Sequence, residues 1–190
     1  MTMRLPTVLV LASGRGERFW ASGGQMHKLQ ALLAGKPVLQ HTLDAVRASG
    51  LPWHLEDAGH SGMGDSIAAA VRATIDAGSW LVLPGDLPLI RPHTLQAVAQ
   101  ALSRAEVVVP VLAGIPPALA ERGHPVGFSA ACRAALLALC GDRGAAAVLR
   151  QYRVTELAVD DPGVVADVDT VADLERLTRW AKDLDAATGG

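Results

Sequence analysis

The amino-acid sequence predicts an α/β fold with a mostly parallel sheet and helices on both of its faces. Short, continuous apolar runs alternate along the chain with amphipathic segments, and glycine-containing turns follow several of the runs. Continuous apolar runs of strand length are typical of parallel strands buried on both faces, and their alternation with helices is typical of βαβ units. No internal repeat interrupts this alternation, so we expect residues 1–190 to form a single domain.

The apolar runs and the amphipathic segments give each element its predicted bounds. Runs rich in valine and leucine predict four strands: Thr7–Ala12, 79–86 (SWLVLPGD), 105–112 (AEVVVPVL) and 155–159 (TELAV). Apolar residues at helical spacing predict six helices: Pro37–Ala48, 65–78 (DSIAAAVRATIDAG), 93–102 (HTLQAVAQAL), Ser129–Leu139, Asp142–Gln151 and Val171–Leu184. Asp65 or Ser66 is the expected cap of the second helix, and Gly78 is its expected end.

Composition and charge exclude several classes of protein. The formal net charge of −2 gives no basic field for a nucleic-acid backbone, so no nucleic-acid partner is expected. No apolar run approaches the roughly 20 residues that span a bilayer, and the run Val8–Ala12 is too short for a secretion signal. We therefore expect a cytoplasmic protein without a membrane partner. Cys132 and Cys140 lack the close spacing of a zinc or redox pair, which predicts buried free thiols.

The turn in the stretch TVLVLASGRGERFW is typical of a phosphate-binding loop, but it fits neither of the two familiar kinds. It is not the dinucleotide fingerprint G-x-G-x-x-G/A, because Phe19 occupies the place of the third glycine. The acidic residues Glu56 and Asp57 come about forty residues later, whereas that fingerprint needs one about twenty residues later. It is not a P-loop either, because the Gly-Lys pair of this chain is followed by proline.

The remaining interpretation is a phosphate cradle of another kind. Gly14 and Gly16 free backbone N–H groups to point into a concavity, and Arg15 and Arg18 add fixed positive charge. Lys28 can reach in from the following segment. Two arginines and a lysine exceed what a monophosphate needs and favour a triphosphate. An ordinary turn with solvated arginines is the alternative.

Two acidic turns complement this basic one. Asp86 directly follows a predicted strand, and the carboxyl ends of parallel strands are where such folds bind their ligands. A single carboxylate there suits Mg²⁺, which takes one or two carboxylates together with phosphate oxygens, although a turn-forming aspartate is the alternative. Asp167 and Asp169 precede the last helix, and capping by Thr170 and one acidic residue leaves the second unexplained. One basic and two acidic turns are the parts of a metal–nucleotide site.

Seven short motifs, in order along nearly the whole chain, give the sequence a family resemblance. They are LASGRGERF, HKLQALLAGKPVLQHTL, GMGDSI, LPGDLPLI, GHPVGFS, GDRG and DVDT. Together they resemble the MobA-like nucleotidyltransferase family. GMG-x-S and GHPV are most similar to its molybdenum cofactor cytidylyltransferase branch and less similar to the guanylyl branch. The resemblance implies a three-layer, Rossmann-like fold of the nucleotide-diphospho-sugar transferase type.

The resemblance also implies a reaction and a set of site residues. The terminal phosphate of molybdopterin would attack the α-phosphate of CTP, giving molybdopterin cytosine dinucleotide and pyrophosphate. Mg²⁺ held by Asp86 and Asp169 would be the cofactor, with Asp167 beside the metal ligand. The implied catalytic residues are Arg15, Arg18, Lys28 and Asp86. The implied acceptor contacts are His124 and Pro125. The implied nucleotide contacts are Leu11, Ala12, Ser13, Gly14, Gly16, Gly62, Met63, Gly64 and Ser66.

Three departures from the family pattern leave alternatives open. The link 20–27 (WASGGQMH) is longer than usual and leaves the reach of Lys28 open. Segment 50–61 (GLPWHLEDAGHS) is short enough to lack one βα unit, and Ala145–Ala146 replace an Ala-Arg pair that would contact an acceptor phosphate. The alternatives are transfer from GTP, transfer to another phosphorylated acceptor, or a non-catalytic nucleotide- or cofactor-binding factor for molybdoenzyme maturation. A molybdoenzyme or its insertion chaperone would then be a partner.

Overall fold

The computed structural model describes residues 5–113 and 120–188. The strands are β1 Thr7–Leu11, β2 Leu32–Leu33, β3 Lys36–Pro37, β4 Trp53–Glu56, β5 Ser79–Pro84, β6 Val107–Leu112, β7 Glu121–Arg122, β8 Val126–Ser129 and β9 Val154–Val159. The helices are α1 Glu17–Ala21, α2 Val38–Ala48, α3 Met63–Ala73, α4 Pro92–Ala101, α5 Arg133–Leu137, α6 Ala146–Leu149 and α7 Val171–Thr188.

Seven of the strands form one mixed, mostly parallel sheet, and β2 and β3 form a separate hairpin. In the large sheet the order is β4-β1-β5-β8-β6-β7, and β9 also pairs with β6. Strand β1 is parallel to β4 and β5, and β6 is parallel to β9, whereas β7 and β8 run antiparallel to their neighbours. The predicted α/β architecture with a mostly parallel sheet is confirmed.

Alternate residues of the central strands feed two hydrophobic clusters, one on each face of the sheet. On β1, Leu9 and Leu11 belong to the cluster that includes residues of α3 and α5. Val8 and Val10 belong to the cluster that includes residues of α2 and α4. Each fully buried Leu or Val contributes roughly 1.5–3 kcal/mol relative to an exposed one, which explains why both faces of these strands are apolar. The sheet is therefore the middle of three layers, as predicted.

A third hydrophobic cluster joins α1, the β2–β3 hairpin and α7. Three of its buried residues, Phe19, Leu29 and Val168, are each next in sequence to a charged residue that the sequence analysis assigned to the site. Because these apolar side chains are held inside the cluster, their charged neighbours are held at its rim. Phe19, the residue that excludes a dinucleotide fingerprint, thus has a packing role of its own.

A buried carboxylate fixes the start of α4. Asp161 is fully buried, and its Oδ2 accepts from the Arg91 N–H at 3.0 Å and from the Thr94 hydroxyl at 2.6 Å. Its Oδ1 accepts from the Gly163 N–H at 2.9 Å. Both oxygens are therefore satisfied, and the carboxylate joins α4 to the turn that follows β9.

Three strands of the large sheet, β4, β7 and β8, were not predicted. Strand β4 lies in the short segment between α2 and α3 and pairs in parallel with β1, so the segment in which a missing βα unit was expected supplies an edge strand. Its sequence, WHLE, is too short and too polar to give a strand signal. Strand β8 takes up Ser129, where a helix was predicted to begin, and runs antiparallel between β5 and β6.

Several helix bounds also differ from the prediction. Helix α3 begins at Met63 because Gly62 is extended, so Asp65 and Ser66 lie in its first turn and the predicted cap is wrong. The helix also ends at Ala73, well before Gly78. Of the two helices predicted in segment 129–151, only the short α5 and α6 remain among the described residues, together with a 3-10 turn.

The last helix begins as predicted. The Thr170 hydroxyl accepts from the Asp173 N–H at 3.2 Å, and the Asp173 carboxylate accepts from the Thr170 N–H at 2.9 Å, which is the reciprocal arrangement of a capping box.

The two cysteines differ in burial. Cys132 is buried, and burial raises the pKa of its thiol to about 11, whereas Cys140 is exposed, contrary to the prediction. None of the described helices combines the length and the apolar character that crossing a bilayer requires.

Candidate active site

A cavity of about 510 Å³ lies at the carboxyl ends of β1, β4 and β5. These ends meet because Leu11 is in register with both Glu56 and Pro84. Most of the predicted site residues line this cavity: Leu11, Ser13, Gly14, Arg15, Gly16, Arg18, Lys28, Gly62, Met63, Ser66, Asp86 and Asp169. A second cavity, of about 490 Å³, lies at the opposite ends of the same strands and is lined by none of the predicted residues, all of which the structure describes.

The loop that follows β1 is fixed at its base and open to the cavity. The Ala12 N–H and the Ser13 hydroxyl donate to the Glu56 carbonyl, at 2.8 and 3.1 Å. A Cβ at Gly14 would meet nothing within 4 Å, so the backbone there faces open space. Gly16 has a φ of +66°, in the left-handed region that favours glycine. A loop of this kind can turn its N–H groups towards an anion.

His27, which the sequence analysis did not single out, fixes the shape of this loop. Its Nε2 donates to the Gly14 carbonyl at 2.7 Å, and its Nδ1 accepts from the Leu29 N–H at 3.3 Å. A ring that donates through one nitrogen and accepts through the other is the neutral Nε2–H tautomer. His27 therefore ties the loop after β1 to the segment that carries Lys28.

The two arginines of the loop are exposed at the mouth of the cavity. The Arg15 side chain is 69% exposed, and its guanidinium lies 3.7 Å from the Glu17 carboxylate. Arg18 is also exposed, and its guanidinium contacts Asp169 Oδ2 at 2.6 Å. The Arg15–Glu17 pair is exposed at both ends and contributes little to stability, whereas the carboxylate that Arg18 contacts is mostly buried. Either guanidinium could exchange its carboxylate for a phosphate.

Lys28 bridges the two predicted metal ligands. Its Nζ lies 2.5 Å from Asp86 Oδ2 and 3.1 Å from Asp169 Oδ1. Burial alone would lower the pKa of Lys28, but the Asp86 and Asp169 carboxylates outweigh that effect and raise the pKa above its ordinary value. Lys28 is therefore a charged ammonium between two carboxylates. The long link 20–27 does not keep it out of the site.

The carboxylates around Lys28 have the chemistry of a divalent-metal site. Asp86 Oδ1 is buried and has no hydrogen-bond partner within residues 5–113 and 120–188. The three carboxylates of Asp86, Asp167 and Asp169 face two cations, Lys28 and Arg18, which leaves an excess of one negative charge. The described part of the chain contains no preformed cluster of three ligand side chains. A metal here would therefore depend on Asp86, Asp169 and the oxygens of a bound phosphate.

Asp167 lies beside the two carboxylates that face the cavity. Partial desolvation, and then the negative charges of Asp169 and Asp86, raise the pKa of its carboxyl. Asp169 lines the cavity, whereas Asp167 is not among the lining residues. The choice of Asp169 as the metal ligand stays a prediction.

The GHPV motif lies near Asp86 but off the cavity wall. A Cβ at position 123 would lie 2.4 Å from the Val164 carbonyl oxygen, and the His124 N–H donates to that carbonyl at 2.9 Å. Burial lowers the pKa of the His124 ring, which favours its neutral form. Neither His124 nor Pro125, both within the described residues, lines the cavity. Their assignment as acceptor contacts stays a prediction.

The GMG motif forms one wall of the cavity by packing against the GDRG motif. A Cβ on Gly62 would lie 2.2 Å from the Gly141 carbonyl, and a Cβ on Gly64 would lie 2.6 Å from the Arg143 carbonyl oxygen. The Gly64 N–H donates to the Gly141 carbonyl at 2.8 Å. These glycines therefore allow a close backbone approach, and Met63, 45% exposed, is the side chain between them.

Comparison with known proteins identifies the family. Residues 44–157, more than half of the chain, match the MobA-like NTP transferase domain. The chain belongs to this family. The matched range contains Gly62, Asp86 and His124, whereas the loop after β1 and Asp169 lie outside it. The family prediction made from the seven motifs is thereby confirmed, and with it the assignment to the nucleotidyltransferases.

Solved structures share the fold of this MobA-like domain. Rv0371c from Mycobacterium tuberculosis H37Rv is 26% identical, with a TM-score of 0.76 over 94% of this chain and 100% of that chain. The same protein has been solved in complex with manganese; that structure is 25% identical, with a TM-score of 0.69 over 92% of this chain and 98% of that one. The 2-C-methyl-D-erythritol 4-phosphate cytidylyltransferase of Thermus thermophilus is 18% identical, with a TM-score of 0.68 over 95% of this chain and 100% of that chain, and shows a likeness of fold alone.

A curated relative matches part of the chain. The bifunctional protein GlmU of Desulfitobacterium hafniense is 32% identical over 109 residues, which are 46% of this chain and 23% of that protein. The match thus spans about a quarter of the length of this relative.

The cavity of this MobA-like domain is also lined by residues that the sequence analysis did not assign to the site. They are Glu17, Leu29, His60, Ser61, Pro84, Gly85 and Asp142. The signal for Asp142 was present in GDRG, but its position against the GMG motif depends on the tertiary packing of two distant loops. His60 and Ser61 follow β4, so they could be assigned to the site only once β4 was recognised as a strand.

Proposed function

We propose that this chain is a Mg²⁺-dependent nucleotidyltransferase that transfers CMP from CTP to the terminal phosphate of molybdopterin and releases pyrophosphate. The observation that carries the proposal is the pair of aspartates bridged by Lys28, in the same cavity as an open, glycine-containing loop with two arginines. A triphosphate and a divalent cation are the ligands that this combination of groups suits.

The residues of the loop would bind the triphosphate. Backbone N–H groups between Ser13 and Gly16 would donate to phosphate oxygens, and Arg15 and Arg18 would neutralise the departing pyrophosphate. Lys28 would hold a phosphate oxygen once it is released from one of its carboxylate partners. Mg²⁺ on Asp86 and Asp169 would supply charge neutralisation at the phosphate oxygens.

The transfer itself needs no general base. A phosphate oxygen of the acceptor, already an anion, would form a bond to the α-phosphorus of CTP while the bond from that phosphorus to the oxygen bridging to the β-phosphate breaks. The electron pair of the broken bond leaves with pyrophosphate, so no proton has to be moved. The chain would therefore contribute alignment and charge stabilisation. The neutral, buried ring of His124 is compatible with this scheme.

CTP and molybdopterin are proposed from the GMG-x-S and GHPV motifs, which resemble the cytidylyl branch of the family. Transfer from GTP is the in-class alternative, because the packing of Gly62 and Gly64 against the GDRG loop does not depend on the base. A different phosphorylated acceptor is the second alternative, since Ala145–Ala146 lack the arginine that relatives have there.

Isothermal titration with CTP and with GTP, each with and without Mg²⁺, tests this proposal on the wild type and on Asp86→Ala. We expect magnesium-dependent CTP binding that the variant loses, followed by pyrophosphate release when molybdopterin is added to the wild type. Preference for GTP would establish the guanylyl alternative. Binding of neither nucleotide by a folded protein would overturn nucleotidyl transfer and favour a non-catalytic maturation factor.

A further inference from the structure

Two histidines share one buried carboxylate at the edge of the cavity. Glu56 is 6% exposed. His60 Nε2 lies 3.1 Å from Glu56 Oε1, and His54 Nε2 lies 3.5 Å from Glu56 Oε2. The Ala58 N–H also donates to Oε1, at 3.2 Å, so the carboxylate is held in place by its own turn. Nothing in the proposed transfer uses this cluster.

The carboxylate determines which nitrogen of His60 is left for a ligand. An ionised carboxylate only accepts hydrogen bonds, so Nε2 of His60 must carry the hydrogen that Glu56 receives. In a neutral ring with that tautomer, Nδ1 is a hydrogen-bond acceptor. The same logic applies to metal-bound histidines, in which a carboxylate partner fixes both tautomer and ring orientation.

The position of His60 separates it from the metal-binding end of the site. His60 lines the cavity, whereas His54 and Glu56 do not, although the structure describes all three. His60 follows β4, and Asp86 follows β5. Strands β4 and β5 lie on either side of β1, so the two strands are two strand spacings, or roughly 10 Å, apart. With the triphosphate on the loop after β1 and the metal at Asp86, His60 lies at the end of the cavity left for the nucleobase.

We propose that His60 accepts a hydrogen bond from the exocyclic amino group of the nucleobase and that Glu56 positions its ring for this contact. The proposal rests on the proposed function, since it concerns the nucleotide of that reaction. The cytosine amino group at N4 is a donor, whereas the corresponding O4 of uracil is an acceptor and cannot pair with Nδ1. His60 therefore distinguishes CTP from UTP.

The Glu56 backbone links this contact to the phosphate end. The Glu56 carbonyl accepts from the Ala12 N–H and the Ser13 hydroxyl, while its carboxylate accepts from His60. One residue thus sets the position of both the loop for the triphosphate and the ring for the base. An enzyme that rejects UTP in this way needs no additional side chain for pyrimidine discrimination.

Titration of the wild type, His60→Ala, His60→Gln and His54→Ala with CTP, UTP and inorganic tripolyphosphate, all with Mg²⁺, tests the proposal. In the wild type we expect CTP to bind at least ~10-fold more tightly than UTP, because O4 of UTP and Nδ1 of His60 are both acceptors and would face each other without a hydrogen. His60→Ala should bring the two dissociation constants to within about threefold and leave tripolyphosphate binding unchanged. His60→Gln, whose amide oxygen can accept a hydrogen bond, should restore part of the preference.

His54→Ala is the matched control, because His54 contacts the same carboxylate but does not line the cavity. It should keep the wild-type preference for CTP. Equal binding of CTP and UTP by the wild type, or an unchanged preference in His60→Ala, would overturn the role of His60 and leave the proposed function intact. Failure of the wild type to bind any nucleotide would overturn both.

Discussion

Asp86 and Asp161 occupy equivalent positions in the sheet and have opposite surroundings. Each lies two residues after the end of a strand with a parallel neighbour, Asp86 after β5 and Asp161 after β9. Asp161 is fully buried, and both its oxygens accept hydrogen bonds. Asp86 contacts Lys28 through Oδ2, whereas its buried Oδ1 has no partner in the described residues.

This difference in hydrogen bonding distinguishes Asp161, which stabilises the fold, from Asp86, which has an oxygen left for a ligand. A buried carboxylate is tolerated when its oxygens are paired, because the hydrogen bonds replace lost hydration. Asp161 satisfies this condition within the chain. Asp86 does not satisfy it within the described residues, and its neighbours Asp167 and Asp169 add negative charge, which favours the binding of a further cation.

The largest expected effect is on transfer in Asp86→Asn. Loss of this carboxylate should lower the rate of pyrophosphate release by ~10²–10³-fold or more, because charge at the phosphates would no longer be neutralised. The free energy of unfolding should change by less than about 1 kcal/mol, since relief of repulsion offsets the lost contact with Lys28. Asp44→Asn, which alters an exposed carboxylate paired with Lys36 and Arg47, should change neither quantity.

Asp161→Ala should show the opposite pattern. The variant leaves the Arg91 and Gly163 N–H groups and the Thr94 hydroxyl without their acceptor, so the free energy of unfolding should fall by about 3 kcal/mol or more. Urea unfolding measures this loss. Pyrophosphate release per folded molecule should stay near the wild-type value. A catalytic defect larger than the folding defect would show that Asp161 also acts on the site.

Lys28→Met tests whether the ammonium stands in for a metal. The variant leaves Asp86 and Asp169 facing each other without their shared cation, which should cost about 1–2 kcal/mol of stability in a metal-free buffer. Mg²⁺ should then raise the melting temperature of the variant more than that of the wild type. Lys36→Met, which removes an exposed ion pair and leaves Asp86, Asp169 and Lys28 unchanged, should respond to Mg²⁺ as the wild type does. An equal response in wild type and Lys28→Met would mean that the metal binds elsewhere.

The smallest expected effect concerns a carboxylate that is paired but near the surface. Desolvation alone would raise the pKa of Asp173, but hydrogen bonds from Thr170 and Arg176 outweigh it and hold the pKa below its ordinary value of 3.8. Stability from this group is therefore present above that value and is lost as pH falls through the lowered pKa of the folded state. Asp173→Ala should cost about 0.5–1 kcal/mol near neutral pH.

Urea unfolding near neutral pH and at about pH 3.5 measures whether the difference between wild type and Asp173→Ala shrinks in acid. A difference that did not depend on pH would show that the helix cap works through the shape of the side chain and not through its charge.

The sequence predicted the individual residues of the site better than the contacts between them. Asp86, Asp169 and Lys28 could be found because each follows or precedes a strong local signal: a buried strand, a helix start or a glycine turn. The ion pairs between them join residues 58 and 141 positions apart, and no local pattern encodes such a contact. Of the fold, the four long apolar strands were predictable from periodicity.

The missed strands are short or polar, and two of the missed cavity residues, His60 and Ser61, follow one of them. Strand β4 has two polar residues among four and pairs on one edge with β1, so tertiary context determines it more than its own propensity. Without β4, Glu56 is an acidic residue in a loop and His60 has no defined position. Their contact became visible only when the register of β4 placed Glu56 beside Leu11, next to the cavity that His60 lines.

The interlocked glycines of the GMG and GDRG motifs limit how this domain can be recombined with its relatives. Gly62 and Gly64 leave no space for a side chain against Gly141 and Arg143, which lie far along the chain. A chimaera with one crossover between residues 66 and 140 would inherit the two halves of this contact from different parents. An attempt to exchange nucleotide preference by grafting therefore requires the GMG and GDRG segments to be transferred together, because they are in contact although they lie far apart in the sequence.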